Sequence, residues 1–364
     1  MGKVTHNRFV KTKVVPPVLL YCYPVMSSFV AQDIRFFEEY FSVRKFRFQP
    51  SHKLLLPVSF IRQKIFLLRN IHSSVIIVCQ FAGYQTLLPV IFGKLFHKPC
   101  LIVVGGTDCV SMPSINYGNL RKPLLRWFTL KSLQLATHIT APGISLIECD
   151  YNYTDTDYPK QGYLFFDKSI ITPYTIIHNG IDTSRFRPVD GIARKKNSFL
   201  TVCTNIDNRN FHLKGIDLFI EMAEYFPDCE FTIIGKVSPG FCIRKPLNVT
   251  LIDYVPNELL PSKLSGYTFY CQLSMSEGFG VALAEAMACG CVPIVSKVGV
   301  MDYIIGDSGF LLDKRNTDLL KSVIAKGLNG DIESLSVRAR NRVVELFNSE
   351  IRRSSILKLI HELI

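Results

Sequence analysis

The chain alternates between short apolar runs and segments with helical spacing, and this pattern predicts a fold of alternating strands and helices. Each run ends in a glycine or polar turn, which is typical of strands buried in a parallel sheet. In the first half the runs are Val18–Tyr21, Val75–Val78 and Leu101–Val104. In the second half they are Phe199–Val202, Phe231–Ile234, Val249–Ile252, Thr268–Cys271 and Val292–Val295. Two such sets predict two doubly wound, Rossmann-like α/β domains.

The junction between the domains is expected within residues 182–196, where arginine, lysine, proline and glycine are frequent. We therefore predict a first domain over residues 1–185 and a second over residues 186–345. The remaining residues, 346–364, have apolar positions at helical spacing and predict a helix that packs by one face. Residues 150–170 are polar and aromatic without a period, which indicates an excursion over the surface.

Composition agrees with a globular chain of this size. The 364 residues are 48% hydrophobic and 20% charged, which excludes a disordered chain and suits two domains. The eleven cysteines are scattered and contain no Cys-x-x-Cys pair, so we expect mostly buried free thiols in a reducing cytosol.

Two stretches invite a membrane or leader interpretation. Residues 73–93 carry no charge, but Gln80, Gly83 and Pro89 interrupt them, so a buried strand is the better interpretation. The N-terminus is basic and is followed by an apolar stretch, which leaves a signal peptide open. Pro16 and its neighbour Pro17 favour a first buried strand instead.

The positive charge is confined to one half of the chain. Residues 1–150 contain 18 basic and 6 acidic residues, whereas residues 151–364 contain 24 of each, so the net charge of +12 belongs to the first half. Such asymmetry predicts a polyanionic partner, either a membrane surface or a nucleic acid. Residues 59–69 and 119–128 mix cations with apolar residues and could be interfacial helices. The alternative is that their apolar faces pack on the first sheet.

A nucleic-acid-binding protein is the other interpretation of this charge. Residues 41–48 interleave phenylalanine with arginine and lysine, as some nucleic-acid sites do. The chain contains no recognised binding module, however, and the same segment reads more simply as a passage from a helix to a strand.

The most suggestive chemistry lies in the sequence SEGFGVALAEAMACG, which places Glu277 and Glu285 eight positions apart. A glycine turn that opens a helix presents free N–H groups and the positive end of the helix dipole to an anion. Glu277 would face sugar hydroxyls beyond that anion, and Glu285 could accept both hydroxyls of a ribose. The alternative is an ordinary helix with two solvent-facing acids. Arg209 and Lys214 could neutralise a diphosphate, or could simply belong to a solvated basic loop.

Several segments together resemble the signature of glycosyltransferase family 4. They are Ile176–Pro188, Lys214–Asp217, Glu277–Gly280 with Glu285, and Gly290–Pro293. Their order and spacing match the family over roughly residues 175–313. The first half is similar mainly in Val104–Asp108, and Tyr23–Ser28 stands where the family has a glycine-rich loop.

The resemblance implies a GT-B fold, in which two Rossmann-like domains face each other across a cleft, and transfer with retention of configuration. The second domain would bind a nucleoside-diphosphate sugar and the first an acceptor, with the last helix crossing back onto the first domain. Arg209 and Lys214 would hold the diphosphate. Glu277 would contact the sugar ring, and Glu285 the ribose.

The resemblance also implies contacts from the rest of the donor site. The turn Gly278, Phe279 and Gly280, with Val281 after it, would approach the donor, and Tyr254 would lie beside the base. On the first domain Asp108 and His138 are candidates near the cleft. No Asp-x-Asp pair is placed to hold a metal, so neither a metal nor another cofactor is expected.

The expected function is transfer of a hexose from UDP-sugar or GDP-sugar to a hydroxyl of a glycan or lipid-linked acceptor. The expected place is the cytoplasm, peripheral at the inner face of a membrane and without nucleic acid. A sugar-nucleotide epimerase or a phosphorylase on the same fold is one alternative, and a basic nucleic-acid-binding protein is another.

Overall fold

The structure, a computed structural model, describes residues 16–49, 53–155 and 157–364. The choice between a signal peptide and a buried strand falls in part on residues 1–15, which lie outside the described residues. Among the described residues no helix is both long enough and apolar enough to cross a membrane. All eleven cysteines are free thiols, and most of them are buried.

The first half forms a six-stranded sheet flanked by helices. Its strands are β1 (Val18–Tyr23), β2 (Ser42–Arg47), β3 (Ser74–Gln80), β4 (Cys100–Val103), β5 (His138–Ala141) and β8 (Tyr174–Ile176). Between β5 and β8, the two-residue strands β6 (Cys149–Asp150) and β7 (Lys160–Gln161) form a separate antiparallel pair. Its helices are α1 (Ser28–Glu38), α2 (Leu56–Asn70), α3 (Tyr84–Leu95), α4 (Pro123–Leu135) and α5 (Tyr163–Phe166). Single 3-10 turns lie at Lys53–Leu55, Pro113–Ile115, Asn119–Arg121 and Ile144–Leu146.

The second half forms another six-stranded sheet. Its strands are β9 (Lys195–Ile206), β10 (Glu230–Val237), β11 (Val249–Ile252), β12 (Tyr267–Gln272), β13 (Val292–Ser296) and β14 (Phe310–Leu312). Its helices are α6 (Asn208–Leu213), α7 (Ile216–Tyr225), α8 (Leu260–Ser265), α9 (Val281–Ala288), α10 (Met301–Ile305), α11 (Thr317–Leu328) and α12 (Ile332–Leu346), after which α13 (Ser349–Leu363) ends the chain. The predicted pair of doubly wound domains is confirmed.

Both sheets are parallel and reverse their strand order near the middle. The first runs β2-β1-β3-β4-β5-β8 and the second β11-β10-β9-β12-β13-β14. Crossovers therefore leave in opposite directions from β1 and β3, and likewise from β9 and β12. In such sheets a crevice opens beyond the carboxyl ends of the strands at the reversal, which is where ligands bind.

All eight predicted runs are strands, but four further strands of the two sheets had no clear apolar run. They are β2, β5, β8 and β14. β2 lies at a sheet edge with Arg44 and Lys45 exposed, and charges on an edge strand discourage pairing with another chain. β8 and β14 have only three residues, too few to show a pattern, and the polar His138 and Thr140 interrupt the apolar residues of β5.

The segment 150–170 is not merely a surface excursion, and that expectation is wrong for Tyr151, Tyr153 and Tyr163. Tyr151 and Tyr153 are buried in the same apolar cluster as the core of the second domain. The Tyr151 hydroxyl donates to the Met275 carbonyl at 3.1 Å, and the Tyr153 carbonyl accepts from the Arg315 N–H at 2.9 Å. The segment thus joins the two halves. Sequence pattern alone could not show this, because the partner surface lies more than a hundred residues away.

Helix α13 returns to the first sheet and packs across its face. Ile356 and Ile360 are fully buried in one cluster with Leu19 and Tyr21 of β1. Beside them the Arg352 guanidinium binds the Asp33 carboxylate of α1 through two bonds, Nε to Oδ1 at 2.7 Å and Nη2 to Oδ2 at 2.6 Å. Both side chains are almost completely buried, at 2% and 0% exposure.

The same guanidinium also holds the link between the domains. Its Nη1 donates to the carbonyls of Ile177 at 3.2 Å and His178 at 3.1 Å, just after β8. The following Gly180 approaches α13 so closely that a Cβ there would lie 2.6 Å from the Ser349 Cα. The glycine is required for this contact, which explains the Asn-Gly turn of the sequence motif.

We predict that Arg352→Met destabilises the protein strongly, because it leaves the Asp33 carboxylate buried without a partner. The free energy of unfolding should fall by about 3–5 kcal/mol, and the double change Asp33→Leu with Arg352→Met should recover most of it. Arg353→Met is the matched control, since Arg353 pairs with the half-exposed Glu39, and it should lower the free energy of unfolding far less than Arg352→Met does. Urea unfolding measures all three, and equal losses for Arg352 and Arg353 would contradict the assignment.

Candidate active site

A cavity of about 350 Å³ lies where the carboxyl edges of the two sheets meet. From the first domain it is lined by residues that end strands or follow them, including Gln80, Gly105 and Asn179. From the second domain Lys214 and the segment Glu277–Ala282 line it. The cavity therefore lies beyond the reversal points of both sheets, which is the expected place for a ligand.

Glu277 is the most strongly held acid of this cavity. Its Oε1 accepts from Lys214 Nζ at 2.6 Å, Gln272 Nε2 at 2.8 Å and Ser274 Oγ at 2.8 Å. The Glu277 side chain is 12% exposed, so a nearly desolvated charge is paired and hydrogen-bonded, as burial of a charge requires. These described bonds all use Oε1, and Oε2 carries the other lone pairs of the carboxylate.

Lys214 reaches Glu277 because the chain turns sharply after α6. Gly215 adopts a left-handed φ of +67°, and a Cβ there would lie 2.1 Å from the Leu273 carbonyl oxygen. Only glycine fits this approach. Burial opposes the charged form of Lys214, but the Glu277 carboxylate outweighs it, so the pKa of Lys214 is raised. The ammonium ion is thus stable inside the cavity.

The glycine turn after Glu277 brings the domains into direct contact. A Cβ on Gly278 would lie 2.1 Å from the Gly105 carbonyl oxygen. Gly280 then adopts a φ of +89° immediately before α9, so the first N–H groups of that helix border the cavity. Phe279 is buried, with its ring 5.4 Å from that of Phe347 and 5.9 Å from that of His178. These contacts fix the turn.

Asp108 does not line the cavity, contrary to its predicted role in ligand contact. Its carboxylate accepts from the backbone N–H groups of Ala82, Gly105 and Gly106 at 2.8–3.3 Å. Burial raises the pKa of Asp108, although these N–H groups partly oppose the rise. The acid therefore positions the loop that meets Gly278, which is how its place in the short motif at residues 104–108 is explained.

Glu285 lies one turn further along α9 and outside the cavity lining. Burial raises the pKa of Glu285 to about 7, and the positive charge of Arg185 opposes that rise. Among the described residues none hydrogen-bonds its carboxylate. A half-buried acid with no hydrogen-bond donor among the described residues can accept from ligand hydroxyls, and their bonds would favour its ionised form.

Of the remaining predicted site residues, one lines the cavity and three lie outside its lining. Val281 lines the cavity, whereas Arg209 is exposed on α6 and Tyr254 is 70% exposed after β11, both outside the lining. His138 begins β5, at the end of the strand remote from the carboxyl edge, and its Nε2 contacts Thr175 Oγ1 at 2.9 Å. His138 is therefore not a cleft residue.

Two glutamines of the site were missed by sequence reasoning. Gln272 ends β12 and holds Glu277, while Gln80 ends β3, where the Tyr21 hydroxyl donates to its Oε1 at 3.0 Å. Both are polar residues at the carboxyl end of an apolar run. That signal was available, since ligands bind at this edge of parallel sheets.

No three His, Cys, Asp or Glu side chains lie together as a possible metal site in residues 16–49, 53–155 and 157–364. The expectation that the protein works without a metal stays a prediction.

Part of the chain is similar in sequence to known glycosyltransferases. Residues 185–343 match the family model described as Glycosyl transferases group 1. The matched range contains Arg209, Lys214, Glu277 and Glu285. The chain is 25% identical over 187 residues to phosphatidyl-myo-inositol mannosyltransferase of Mycobacterium tuberculosis, covering 49% of each chain.

Solved structures extend the likeness over nearly the whole chain. Sucrose-phosphate synthase from Thermosynechococcus elongatus has a TM-score of 0.73 at 16% identity, with 96% of this chain and 99% of that chain covered. The Anabaena protein HepE, solved in complex with UDP, has a TM-score of 0.65 at 13% identity, with 94% and 99% covered. The chain has the GT-B fold.

The sequence matches to curated relatives are shorter. The chain spans about half or less of the length of the curated relatives it matches. The family match and the mannosyltransferase are similarities to glycosyltransferases, and the solved structures show the GT-B fold. They do not favour an epimerase, a phosphorylase or a nucleic-acid-binding protein.

We predict that Glu285→Gln stabilises the protein as pH rises through neutrality. The folded-state pKa of Glu285 lies above its unfolded value, so the folded state binds the proton more tightly and wild type loses stability between the two values. Variant and wild type should unfold alike near pH 4, and the variant should gain about 1–3 kcal/mol by pH 8. Urea unfolding across pH measures this, with the exposed Glu345→Gln as control. Parallel curves for wild type and Glu285→Gln would contradict the burial argument.

Proposed function

We propose that the protein is a retaining glycosyltransferase that moves a hexose from a nucleoside-diphosphate sugar to a hydroxyl of a glycan or lipid-linked acceptor. The observation that carries the proposal is the Lys214–Glu277 pair beside the glycine turn that begins α9. It combines a cation, a carboxylate and free helix N–H groups in one cleft. These three groups can together bind a sugar joined to a diphosphate.

The diphosphate would lie against Lys214 and the first N–H groups of α9. Arg209, exposed on α6, would reach in from the rim. The solved complex of HepE with UDP supports a nucleoside diphosphate as the donor's leaving group. Tyr254, after β11, would lie beside the base, and Glu285 would accept from the ribose hydroxyls. Hydrogen bonds from those hydroxyls would stabilise the ionised form of Glu285 and so oppose the burial that raises its pKa.

The transferred sugar would be held by Glu277. With Oε1 occupied by three donors, Oε2 would accept from a ring hydroxyl. The approach of Gly278 to Gly105 would close the donor side of the cleft. Asn179 and Gln80 line the same cavity from the first domain and would face the acceptor.

In the proposed step the acceptor oxygen bonds to the anomeric carbon as the bond from that carbon to the diphosphate oxygen breaks. The hydroxyl proton passes to the departing phosphate on the same face of the sugar, so the configuration is retained. Lys214, Arg209 and the start of α9 stabilise the negative charge that grows on the leaving group. Neither metal nor cofactor enters this step.

The acceptor would be met at a membrane. The excess of basic over acidic residues in the first half supports attraction to an anionic leaflet. A relative named for phosphatidyl-myo-inositol supports a lipid acceptor. We therefore propose a cytoplasmic protein, peripheral at the inner face of a membrane and without a nucleic-acid partner.

Glu277→Gln should separate catalysis from nucleotide binding. UDP or GDP should raise the melting temperature of wild type and of the variant alike, whereas oligonucleotides should raise neither. Turnover of the preferred sugar nucleotide should fall at least about a hundredfold in the variant, since the carboxylate on the sugar is lost. Hydrolysis of UDP-hexoses and GDP-hexoses is the assay. Absence of any shift with UDP and GDP would refute the proposed function.

Lys214 and Glu285 should act on different parts of the nucleotide. Lys214→Met should weaken UDP or GDP much more than the bare nucleoside, and Arg209→Ala should behave in the same way. Glu285→Ala should weaken the nucleotide and the nucleoside equally, by about 1–3 kcal/mol, the scale of a hydrogen bond to a charged group. Calorimetric titration measures each pair. Equal losses for both ligands in Lys214→Met would remove Lys214 from the diphosphate site.

A further inference from the structure

Helix α2 exposes a ridge of large apolar side chains to solvent. Successive members are four, three, four and three residues apart, which places them along one face of a helix. This apolar ridge consists of Leu54, which precedes the helix, and Val58, Ile61, Ile65 and Leu68. All five are exposed, Ile61 by 59%. The buried residues of α2 are instead Gln63 and Leu67 on the opposite face.

This arrangement bears on both sequence interpretations of the segment at residues 59–69. Phe60 and Phe66 are partly buried and pack inward, Phe66 with its ring 5.2 Å from that of Phe46. Ile61, Ile65 and Leu68 face outward. The apolar residues thus divide between two faces, and packing on the sheet accounts for only one of them.

Cations flank the apolar ridge on both sides. At about 100° per residue, Arg62 and Arg69 lie to one side of the ridge and Lys64 to the other. Residues 54–135 contain nine lysines and arginines and a single acid, Asp108. That acid is buried and held by backbone N–H groups, so the charged side chains that α2, α3 and α4 themselves contribute to the surface are of one sign.

The start of α4 lies next to α2. Leu124 and Trp127 are both exposed, Trp127 by 54%. The Trp127 ring contacts that of Phe128 at 5.1 Å, and Phe128 stacks on Phe60 of α2 at 5.8 Å. An exposed tryptophan beside apolar and basic residues is typical of the boundary between water and lipid.

We propose that the apolar ridge of α2, with Leu124 and Trp127, docks on the surface of an anionic lipid bilayer. The apolar side chains enter the boundary between headgroups and acyl chains, and the flanking cations bind the headgroups. Charge complementarity favours lipid over a second copy of this chain, because two such faces would repel each other.

The docking orients the cleft. α2 and α4 begin near the carboxyl edge of the first sheet, since each follows a parallel strand, and the cavity lies beyond that same edge. The bilayer would therefore border the acceptor side of the cleft. This orientation toward a lipid-linked acceptor rests on the proposed function, whereas the docking itself does not.

The test is co-sedimentation of the full chain with vesicles of phosphatidylcholine alone or mixed with phosphatidylglycerol. Wild type should bind only the mixed vesicles, and about 1 M salt should release most of it because the Debye length falls to about 3 Å. Ile61→Ser with Ile65→Ser keeps every charge and should weaken binding about tenfold. Arg62→Glu, Lys64→Glu and Arg69→Glu together should abolish binding, since each cation adds about fivefold.

Trp127 provides a direct readout, because it is the only tryptophan of the chain. Its emission should shift to shorter wavelength on the mixed vesicles and be quenched by lipids with brominated acyl chains. Leu319→Ser with Val337→Ser removes two exposed apolar residues of α11 and α12 and is the matched control, expected to bind like wild type.

Three results would overturn the docking. The first is that wild type does not bind mixed vesicles at low salt. The second is that the Ile61 and Ile65 double variant binds as tightly as wild type, which would mean that charge attraction alone accounts for the binding. The third is a dimer in solution that the double variant converts to a monomer without any lipid binding. The melting shift with UDP or GDP, measured without vesicles, reports separately on the donor site, so failure of docking, which would also remove the proposed membrane location, is distinguishable from failure of the proposed sugar transfer.

Discussion

The buried ion pair between Arg352 and Asp33 is the interaction on which the arrangement of the two domains depends. It joins the last helix to the first helix, and the same guanidinium binds two carbonyls of the interdomain link. Desolvation of both charges is costly, and only the bidentate geometry and the added carbonyl acceptors offset it. Because these bonds require one relative position of three segments, they favour a single placement of α13 on the first sheet.

In the cleft, this placement brings the backbone of one domain into contact with the backbone of the other. Gly278 of the second domain and Gly105 of the first approach closer than any side chain allows, and Asp108 holds the first-domain loop from beneath. The Glu277 carboxylate then lies between the hydrogen-bond donors of its own domain and the cavity that faces the first domain. Rigid support of this kind keeps a charged side chain poised without the cost of reorganisation.

Charge is distributed unevenly over the molecule, in a way that matches two different tasks. The second domain is neutral overall and concentrates its useful charges in the Lys214–Glu277 pair, where low exposure strengthens each interaction. The first half of the chain carries the positive excess, and nine of its lysines and arginines lie in residues 54–135, which include the apolar ridge of α2. A local pair suits recognition of a small ligand, whereas an extended field suits attraction to a large anionic surface.

The sequence by itself determined the two doubly wound domains, because buried parallel strands require continuous apolar runs that can be read directly. It also indicated Glu277, Lys214 and the glycine turn, since their residue types and order are tied to local backbone geometry. Only the tertiary structure decided the roles of Asp108 and His138, the joining role of Tyr151, and which face of α2 meets solvent. Each of these depends on partners distant in the chain, and periodicity along a segment carries no information about them.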